Sequence, residues 1–374
     1  MTLQVGSLPS ASAPLLTTAN INGLRLPNRM VVAPMTRISA SPDGQATDAM
    51  VRYYERFAKG GFGLIVTEGI YTDQAYSQGY ANQPGLSDVE QARAWRPVVQ
   101  AIQAAGGRVV AQLMHAGALS QANRFRDHTV GPSAIRPKGK QMALYRGDGE
   151  YPVPREMTEA EITEAIGGFS RAALLAMEVA GFDGVEIHGA NGYLLDQFFT
   201  DYTNARNDGW GGAIAQRLRI TTEVIRAVRQ VLGAAVPVGV RISQGKVNDF
   251  FHKWQEAEQG AADVFRVLAE SSVDYIHITE FEAWRPAFAD GGASLVQLAR
   301  IHAPDVTIIA NGSLHAAEQA TAALADGADL IALGRGALSN PDWPLRLQAG
   351  QPLAEFNPAL LSPLGDIKPE EQRG

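Results

Sequence analysis

The sequence predicts an α/β fold in which a single (β/α)8 barrel, a TIM barrel, takes up the chain. Eight short apolar or β-branched runs, typical of strands buried on both faces, recur along the 374 residues. A segment with helical periodicity follows each run, and eight alternations of strand and helix favour a closed barrel. An open dinucleotide-binding sheet would place a glycine-rich turn after its first strand, whereas this chain continues as VVAPMTRIS.

The predicted strands are, in order, VVAPM (31–35), GLIVTEG (63–69), RVVAQLM (108–114), GVEIHGA (184–190), VPVGVRIS (236–243), DYIHITE (274–280), VTIIANG (306–312) and DLIALGR (329–335). The predicted helices span 48–59, 87–105, 158–180, 216–232, 261–271, 294–303, 314–326 and 341–349. Thr158 and Glu161 have the spacing of a capping box at the start of the third helix. Gly181 and Gly233 stand just past predicted helix ends, where glycine is favoured.

No linker or change of composition divides the chain, so we expect one domain over residues 1–374. An N-terminal extension, 1–20, leads to a predicted hairpin at Asn22-Gly23. The rest of the excess over a barrel of roughly 250 residues lies in the segments 115–157, 244–260, 281–293 and a Pro-rich tail, 350–374. We expect the three long loops at the C-terminal face of the barrel, where such folds place specificity.

The composition excludes several classes of site. The chain has no cysteine, which rules out thiolate nucleophiles, disulfides, Cys-ligated zinc and cysteine-held iron–sulfur clusters. A net charge of −7 argues against nucleic-acid binding by phosphate neutralisation. No apolar run approaches the roughly 20 residues of a membrane span, and the N-terminus lacks a signal-peptide pattern. We therefore expect a cytoplasmic protein without a membrane partner.

Barrel enzymes carry their chemistry at the C-terminal ends of the strands. The ends of strands seven and eight hold Gly312, Ser313, Gly334 and Arg335, where barrels often bind phosphate through backbone N–H groups. Glycine allows close approach of the backbone, and a guanidinium can donate to two phosphate oxygens. A plain turn is the alternative interpretation of these residues.

The fourth strand ends in HGANGYLLDQF, which brings His188, Asn191 and Tyr193 within six residues. Two donors that converge on one oxygen would polarise a carbonyl or nitro group, and a phenol nearby could supply a proton. A core histidine capped by asparagine is the alternative. A zinc site is disfavoured, because no third ligand has the required spacing.

Two further polar residues lie within predicted strands. Arg241, in VGVRIS, needs an anionic partner, either a ligand or a barrel carboxylate such as Glu186 or Glu68. The amide of Gln112 can donate and accept at once, as a heterocycle with alternating N–H and C=O groups requires, or it can be satisfied inside the barrel.

Together these segments resemble the old yellow enzyme family, which comprises flavin-dependent ene-reductases on a (β/α)8 barrel. The pattern HxxNxYLxxQF joined to TNxRxDxxGG is highly specific, and its matches run in family order from residue 28 to residue 347. The matching segments are NRMVVAPMTRISA (28–40), AQLMHAG (111–117), IHGANGYLLDQF (187–198), TNARNDGWGG (203–212), VGVRIS (238–243), IIANG (308–312) and ALGRGALSNPDWPLRL (332–347).

The resemblance implies non-covalent FMN, with NAD(P)H as reductant and a small molecule as substrate. It places the FMN phosphate at Gly312, Ser313, Gly334 and Arg335. It lines the isoalloxazine with Pro34, Met35 and Thr36, sets Gly69 and Gln112 at the pyrimidine edge, and brings Arg241 near N1 and the C2 carbonyl. It also implies that His188 and Asn191 hold the substrate oxygen while Tyr193 protonates the α-carbon in a ping-pong reaction. The oligomeric state, monomer or homodimer, is left open.

Thr36 stands where the thermophilic-like branch of the family has a cysteine, so the classical branch is the closer comparison. Two other functions compete with this one. Glu68 and Glu280 end strands two and six and could serve a barrel glycoside hydrolase, and a non-catalytic flavin-binding barrel would retain the FMN residues. Five aromatic residues in the loops could form a wall over the flavin or simply pack those loops, namely Phe250, Phe251, Trp254, Phe281 and Trp284.

Overall fold

A computed structural model describes residues 13–288 and 291–373, so the start of the N-terminal extension and part of the loop 281–293 lie outside the described residues. Eight parallel strands close into the predicted barrel. They are β3 (Met30–Val32), β4 (Leu64–Val66), β6 (Arg108–Met114), β9 (Gly184–His188), β10 (Val238–Ser243), β11 (Tyr275–Thr279), β12 (Thr307–Asn311) and β13 (Leu330–Leu333). Pairing of β13 with β3, and of β4 with β6, completes the ring.

Several predicted strands extend beyond the observed ones at their C-terminal ends. The first ends at Val32 instead of residue 35, because Ala33 makes the last ladder contact, to Leu333, and Pro34 has no N–H to donate. The second ends at Val66, and Gly69 precedes a short strand, β5 (Ile70–Tyr71), that pairs with β6. The residues released from the ladder are the ones that the sequence assigns to the site.

The described helices are α1 (Asp48–Lys59), α2 (Val89–Ala104), α3 (Glu159–Leu175), α4 (Leu194–Phe199), α5 (Ile214–Arg217), α6 (Arg219–Leu232), α7 (Ala257–Glu270), α8 (Leu295–His302), α9 (Ala317–Ala325), α10 (Arg335–Ser339) and α11 (Trp343–Ala349). Thr158 and Glu161 form the predicted capping box. The predicted helix 158–180 changes to a π-helical turn at Ala176–Ala180, and the predicted helix 216–232 is divided at Leu218. None of the described helices has the length and apolar content to cross a bilayer.

The predicted hairpin closes the N-terminal end of the barrel. β1 (Ala19–Ile21) pairs antiparallel with β2 (Leu24–Leu26) through Asn22 and Gly23, which both have positive φ. Ile21 and Leu26 pack against inward-facing residues of the strands, in a cluster separate from the larger core between strands and helices. The barrel interior is therefore sealed at this end, and its polar residues lie toward the other.

The loop 115–157 and the C-terminal tail carry structure of their own. The loop contains 3-10 turns at Gly117–Leu119 and Ala143–Tyr145 and a parallel pairing of β7 (Val130–Gly131) with β8 (Arg155–Glu156). The tail contains 3-10 turns at Pro358–Leu361 and Pro369–Gln372. Glu371 near its end forms a buried ion pair with Arg37, so the tail folds back beside the C-terminal end of β3.

Candidate active site

The predicted site residues meet at the C-terminal face of the barrel because all eight strands run in the same direction. The strand register brings the central ones into contact. Arg241 is the Cα partner of His188 on one side and of His277 on the other. Gln112 is the partner of Glu186. The register thus brings together residues that are up to 165 positions apart in the chain, as Gln112 and His277 are, which both contact Glu186.

His188, the last residue of β9, is only 3% exposed. Its Nδ1 accepts a hydrogen bond from the backbone N–H of Ala190 at 3.3 Å. Burial and the nearby Arg241 hold the pKa of His188 well below its usual value, so the ring is neutral at pH 7. A neutral ring that accepts at Nδ1 carries its proton on Nε2, which makes no hydrogen bond within residues 13–288 and 291–373. His188 can therefore donate to a ligand oxygen.

Asn191 follows in the left-handed conformation, at φ 61°, which asparagine tolerates better than most residues. Its backbone is held on both sides, since its N–H donates to Ser243 Oγ at 2.9 Å and its carbonyl accepts from the Val247 N–H. Its side-chain amide makes no hydrogen bond to the described residues. The backbone is fixed and the amide is available, as a ligand contact requires.

A buried ion pair anchors this turn. Lys246 Nζ lies 2.9 Å from both carboxylate oxygens of Asp196, and the two side chains are 2% and 0% exposed. Asp196 Oδ2 also accepts from the backbone N–H of Gly192 at 2.6 Å. This pair is not predictable from the sequence pattern, because Lys246 belongs to a loop whose residues carry no periodic signal.

Tyr193 is 4% exposed and its ring lies 4.9 Å from that of His188, edge to face. Its hydroxyl oxygen is 2.5 Å from that of Tyr80. Burial raises the pKa of Tyr193 above its usual value, although the hydrogen bond to Tyr80 acts in the opposite direction, so the phenol is protonated at neutral pH. Tyr80 was not predicted, because it lies in the irregular segment between β5 and α2 and belongs to no motif.

Arg241 is buried, and desolvation lowers its pKa to about 10 although Glu186 favours the charged form. Its Nη2 donates to Asn311 Oδ1 at 2.9 Å, while Nε is buried without a partner in the described part of the chain. Of the two carboxylates proposed from the sequence, Glu186 is the one that acts on Arg241. An unpartnered donor on a buried cation fits an acceptor such as a flavin N1 or C2 carbonyl.

Gln112 turns one amide N–H inward, to Glu186 Oε1 at 2.8 Å. Glu186 also accepts from His277 Nδ1 at 2.8 Å. Desolvation opposes ionisation of Glu186, but His277, Arg241 and Gln112 together lower its pKa. The amide carbonyl of Gln112 makes no hydrogen bond to the described residues and can accept from a ring N–H. The alternative of a polar group satisfied inside the barrel therefore holds for the amide N–H, and the contact of the amide carbonyl with a heterocycle stays a prediction.

The first strand and the glycines beside it shape the rest of the site. Pro34, Met35 and Thr36 are all partly exposed at the barrel mouth. A Cβ on Gly334 would lie 3.7 Å from Met35 Sδ, so the ends of the first and last strands are neighbours. A Cβ on Gly69 would lie 2.6 Å from Met114 Sδ, so a larger residue there would have to displace the Met114 side chain.

The proposed phosphate end is also constrained by backbone geometry. Gly312 has φ 145°, and a Cβ there would come within 2.3 Å of the Glu280 carbonyl oxygen. Ser313 has φ 52° and its hydroxyl donates to the Phe281 carbonyl at 2.7 Å. Arg335 is exposed and forms no ion pair within the described ranges, so its guanidinium is free for an anion. These residues fit the phosphate of FMN.

The aromatic loop residues divide into two groups. Trp254 is 5% exposed and packs edge-on against Phe199 with the ring centroids 5.3 Å apart, so it belongs to the core. Phe250, Phe251 and Phe281 are exposed, and the ring of Phe250 contacts the other two, with its centroid 5.1 Å from that of Phe281 and 5.6 Å from that of Phe251. Of the two alternatives from the sequence, packing therefore holds for Trp254, and a place in a wall over the flavin does not.

The segment 203–212 is held together by its own hydrogen bonds. Asn204 Nδ2 donates to the carbonyls of Phe198 and Trp210, and Arg206 forms hydrogen bonds to both carboxylate oxygens of Asp208. This segment closes the loop between α4 and α5.

Comparisons with known proteins show the family of the chain. The family profile described as NADH:flavin oxidoreductase / NADH oxidase family matches residues 15–354. A protein described as a probable flavin mononucleotide-dependent alkene reductase of Leishmania infantum is 34% identical over 352 residues, which cover 92% of this chain and 93% of that protein. The 12-oxophytodienoate reductase 1 of Oryza sativa subsp. japonica is 35% identical over 354 residues, with 93% and 89% covered.

Solved structures agree as well. The old yellow enzyme homologue from Zymomonas mobilis has a TM-score of 0.85 and 30% identity, with 96% of this chain and 98% of that chain covered. Morphinone reductase in complex with tetrahydroNAD has a TM-score of 0.81 and 31% identity, with 93% of each chain covered. The chain therefore belongs to the NADH:flavin oxidoreductase / NADH oxidase family, that of old yellow enzyme, and is an FMN-dependent enzyme that uses NAD(P)H.

Proposed function

We propose that this enzyme reduces activated C=C bonds, namely those of α,β-unsaturated carbonyls and nitroalkenes, and extends to nitro compounds or nitrate esters. FMN, when bound by the residues named above, would supply the redox chemistry, namely the transfer of hydride from NADH or NADPH to the β-carbon of the substrate. Nicotinamide and substrate occupy the same place in turn, in ping-pong order. The observation that carries the proposal is the turn 188–193, where two neutral donors and a protonated phenol lie together.

His188 and Asn191 hold the substrate oxygen in this scheme. The Nε2–H of His188 and the amide of Asn191 both lack a partner in the described part of the chain. As the β-carbon is reduced, negative charge develops on the oxygen, and two fixed donors stabilise that charge without reorganisation. A neutral histidine serves here as a donor and keeps its proton.

Tyr193 supplies the proton to the α-carbon. The raised pKa ensures that the phenol is protonated, and the charge that it acquires on donating is stabilised by the Tyr80 hydroxyl 2.5 Å away. The alkene thus gains hydride at the β-carbon and a proton at the α-carbon. Tyr193 is then restored by a proton from solvent.

The residues toward FMN have complementary roles. Arg241 provides a fixed cation for the charge that accumulates on the flavin side of the site, and its unpartnered Nε supports this role. Gln112 and Thr36 provide an acceptor and a hydroxyl for the heterocycle, and Gly69 allows its close approach. Pro34 and Met35 line the ring, and the glycines at 312 and 334 with Ser313 and Arg335 bind the phosphate.

The burial of Glu68 argues against the glycoside hydrolase alternative. Its side chain is 0% exposed and accepts from the Arg37 N–H at 3.0 Å, so it cannot reach a sugar. A non-catalytic flavin-binding barrel does not require a protonated phenol beside two side-chain donors, those of His188 and Asn191, that lack a partner among the described residues. Organisation as one domain over 1–374 and a cytoplasmic location remain predictions from the sequence, which leaves the oligomeric state open.

Separate measurement of the two half-reactions tests the proposal. Anaerobic enzyme is first reduced with NADH or NADPH and then mixed with 2-cyclohexenone, N-methylmaleimide, a nitroalkene or a nitrate ester. The yellow enzyme should bleach with at least one nicotinamide and recover its colour with at least one of the alkenes. Failure of both nicotinamides to bleach it would overturn the proposal.

The variant Tyr193→Phe tests whether the Tyr193 hydroxyl is the proton donor, since it removes the hydroxyl and retains the ring. It should slow reoxidation by the alkene about 100-fold, the lower range for loss of a general acid, and leave reduction by nicotinamide within about twofold. Tyr151→Phe is the matched control, since Tyr151 is buried in the same cluster and the one hydrogen bond of its hydroxyl to the described residues goes to Gln121, at 3.3 Å. Equal losses in both half-reactions would contradict the role of Tyr193.

A further inference from the structure

The C-terminal segment 363–372, which we term the strap, is fixed beside the active site by Arg37, the residue directly after Thr36. Arg37 Nε donates to the Gly365 carbonyl at 2.9 Å, and Nη2 donates to the Asp366 carbonyl at 2.8 Å. Its guanidinium also forms a two-point ion pair with Glu371, at 2.7 and 2.5 Å. One side chain thus binds the strap at three residues.

This attachment is fully buried. Arg37 is 0% and Glu371 1% exposed, and Arg56 adds a second cation 3.1 Å from Glu371. The ring of Tyr53 lies 4.9 Å from the Arg37 guanidinium and 4.8 Å from that of Arg56. A paired, desolvated and bidentate interaction of this kind fixes geometry, because either charge would be strongly destabilised if left alone.

The strap in turn holds the 3-10 turn Ala143–Tyr145 of the long loop. The Gly365 N–H donates to the Leu144 carbonyl at 2.8 Å. A Cβ on Gly365 would lie 2.7 Å from Tyr145 Cε1, so the tyrosine ring rests directly on the glycine. Gly365 is not among the residues with positive φ, so close packing, and not backbone conformation, requires glycine here.

Tyr145 extends the line of aromatic rings that begins at the substrate-oxygen site. The rings of His188 and Tyr193 are 4.9 Å apart, the hydroxyls of Tyr193 and Tyr80 meet, and the rings of Tyr80 and Tyr145 are again 4.9 Å apart. Burial raises the pKa of Tyr145 to about 12, whereas Arg37 and the Thr36 hydroxyl act in the opposite direction. Arg37 and Tyr145 both contact Gly365, so Tyr145 lies beside the segment Thr36-Arg37, at the other end of this line from His188.

We propose that Tyr145 forms the wall of the substrate site beside Thr36 and limits substrate size there, and that the strap fixes its position. This inference rests on the proposed function, because it assumes that substrate binds between His188 and Thr36. It assigns a role to one part of the loop 115–157 and to the C-terminal tail. Tyr145 is thus a specificity-determining residue, and Gly365 and Glu371 are positioning residues.

Equilibrium binding of phenols to the oxidised holoenzyme measures the space at this wall without turnover. Phenol and its 2-, 3- and 4-tert-butyl derivatives are titrated against the flavin absorbance, and each dissociation constant is divided by that of phenol. Tyr145→Ala should lower this ratio about tenfold for at least one isomer, as expected when bulk is removed from a pocket. Tyr145→Phe, which retains the ring, should leave the ratios within about twofold. Unchanged ratios in Tyr145→Ala would overturn the proposal.

Gly365→Ala tests the strap without touching the ion pair. The added methyl group must displace the Tyr145 ring, so the same isomer should change its ratio at least about threefold, as expected for loss of a close fit. In a Tyr145→Ala background Gly365→Ala should have no further effect. An equal effect in both backgrounds would show that the strap does not act through Tyr145. Gly167→Ala is the control, because a Cβ there meets only the end of the flexible Arg171 side chain, at 3.0 Å.

Hydrogen exchange separates failure of this inference from failure of the proposed function. If no phenol changes the flavin absorbance of the wild-type enzyme, the assignment of the substrate-oxygen site is wrong. Hydrogen exchange alone then tests whether the strap fixes the position of Tyr145. Glu371→Gln should accelerate exchange in residues 142–147 together with 363–372, while helix α9 keeps its wild-type rate. Faster exchange of the strap with unchanged 142–147 would overturn the coupling to Tyr145.

Discussion

Replacement of Lys246 by methionine should destabilise the enzyme and loosen the substrate-oxygen site together. Lys246 Nζ is shared between the two carboxylate oxygens of Asp196, and both side chains are almost completely buried. Methionine retains most of the volume but removes the charge. Asp196 is then a buried carboxylate without a cation, although it keeps the N–H of Gly192 and the hydroxyl of Thr200.

The expected loss in the free energy of unfolding follows from this geometry. Removal of one partner of a buried ion pair typically costs about 3–5 kcal/mol. The two hydrogen bonds that remain on Asp196 place the value at the lower end, about 3 kcal/mol. An unfolding entropy of about 2 cal/mol/K per residue gives roughly 0.8 kcal/mol/K for 374 residues. The unfolding midpoint should therefore fall by about 4 °C.

Thermal unfolding followed by circular dichroism, at equal flavin content, measures the shift. Lys59→Met is the matched control, because Lys59 lies 3.0 Å from Glu55 but is 55% exposed, and its loss should cost below about 1 kcal/mol. Equal shifts in the two variants would refute the account. Replacing both partners, as Lys246→Met with Asp196→Leu, should recover much of the stability, whereas phenol binding should stay weakened, since Gly192 has lost its acceptor.

Three further predictions concern other parts of the site. Burial raises the pKa of Glu68 from 4.5 to about 7, so its stabilising contribution is present below pH 4.5 and lost as the pH rises through 7. The free energy of unfolding of Glu68→Gln, measured by chemical denaturation, should therefore rise by about 3 kcal/mol relative to that of the wild type between pH 4.5 and pH 8. A difference between the two proteins that does not change with pH would contradict this. Arg241→Met should slow flavin reduction by nicotinamide about 100-fold in stopped-flow measurements, whereas an unchanged rate would exclude it as the flavin cation. Gly312→Ala should weaken FMN binding at least about tenfold, as measured by the flavin fluorescence that appears when the enzyme is diluted. Gly350→Ala, with open space around the glycine, should leave FMN binding unchanged.

The sequence was most informative where strands end in motif residues. His188, Asn191, Tyr193, Gln112 and Arg241 all lie where the alternation of strand and helix predicts, because parallel strands fix which end of each strand faces the site. The predicted strands nevertheless extend too far at their C-terminal ends. The apolar runs continue into residues that leave the ladder to form the site, as at Pro34, which cannot donate to a neighbouring strand.

The residues that support the site were not predictable in this way. Tyr80, Tyr145 and Lys246 come from irregular loops, and Glu371 comes from the tail, so no period connects them to a strand or helix face. Their positions depend on long-range contacts, such as the pairing of Arg37 with a residue 334 positions later. Sequence patterns report local conformation, whereas these contacts arise only when the chain has closed into the barrel.

The central claim is that His188 and Asn191 together hold the oxygen of the substrate. The most direct measurement is a phenol titration of the oxidised enzyme, in which phenolate stacked on the flavin gives a long-wavelength charge-transfer band. In the variant that combines His188→Ala with Asn191→Ala, this band should disappear at phenol concentrations that saturate the wild type, while FMN stays bound. His128→Ala, with a side chain 46% exposed, should titrate like the wild type. An unchanged titration in the double variant would contradict the account.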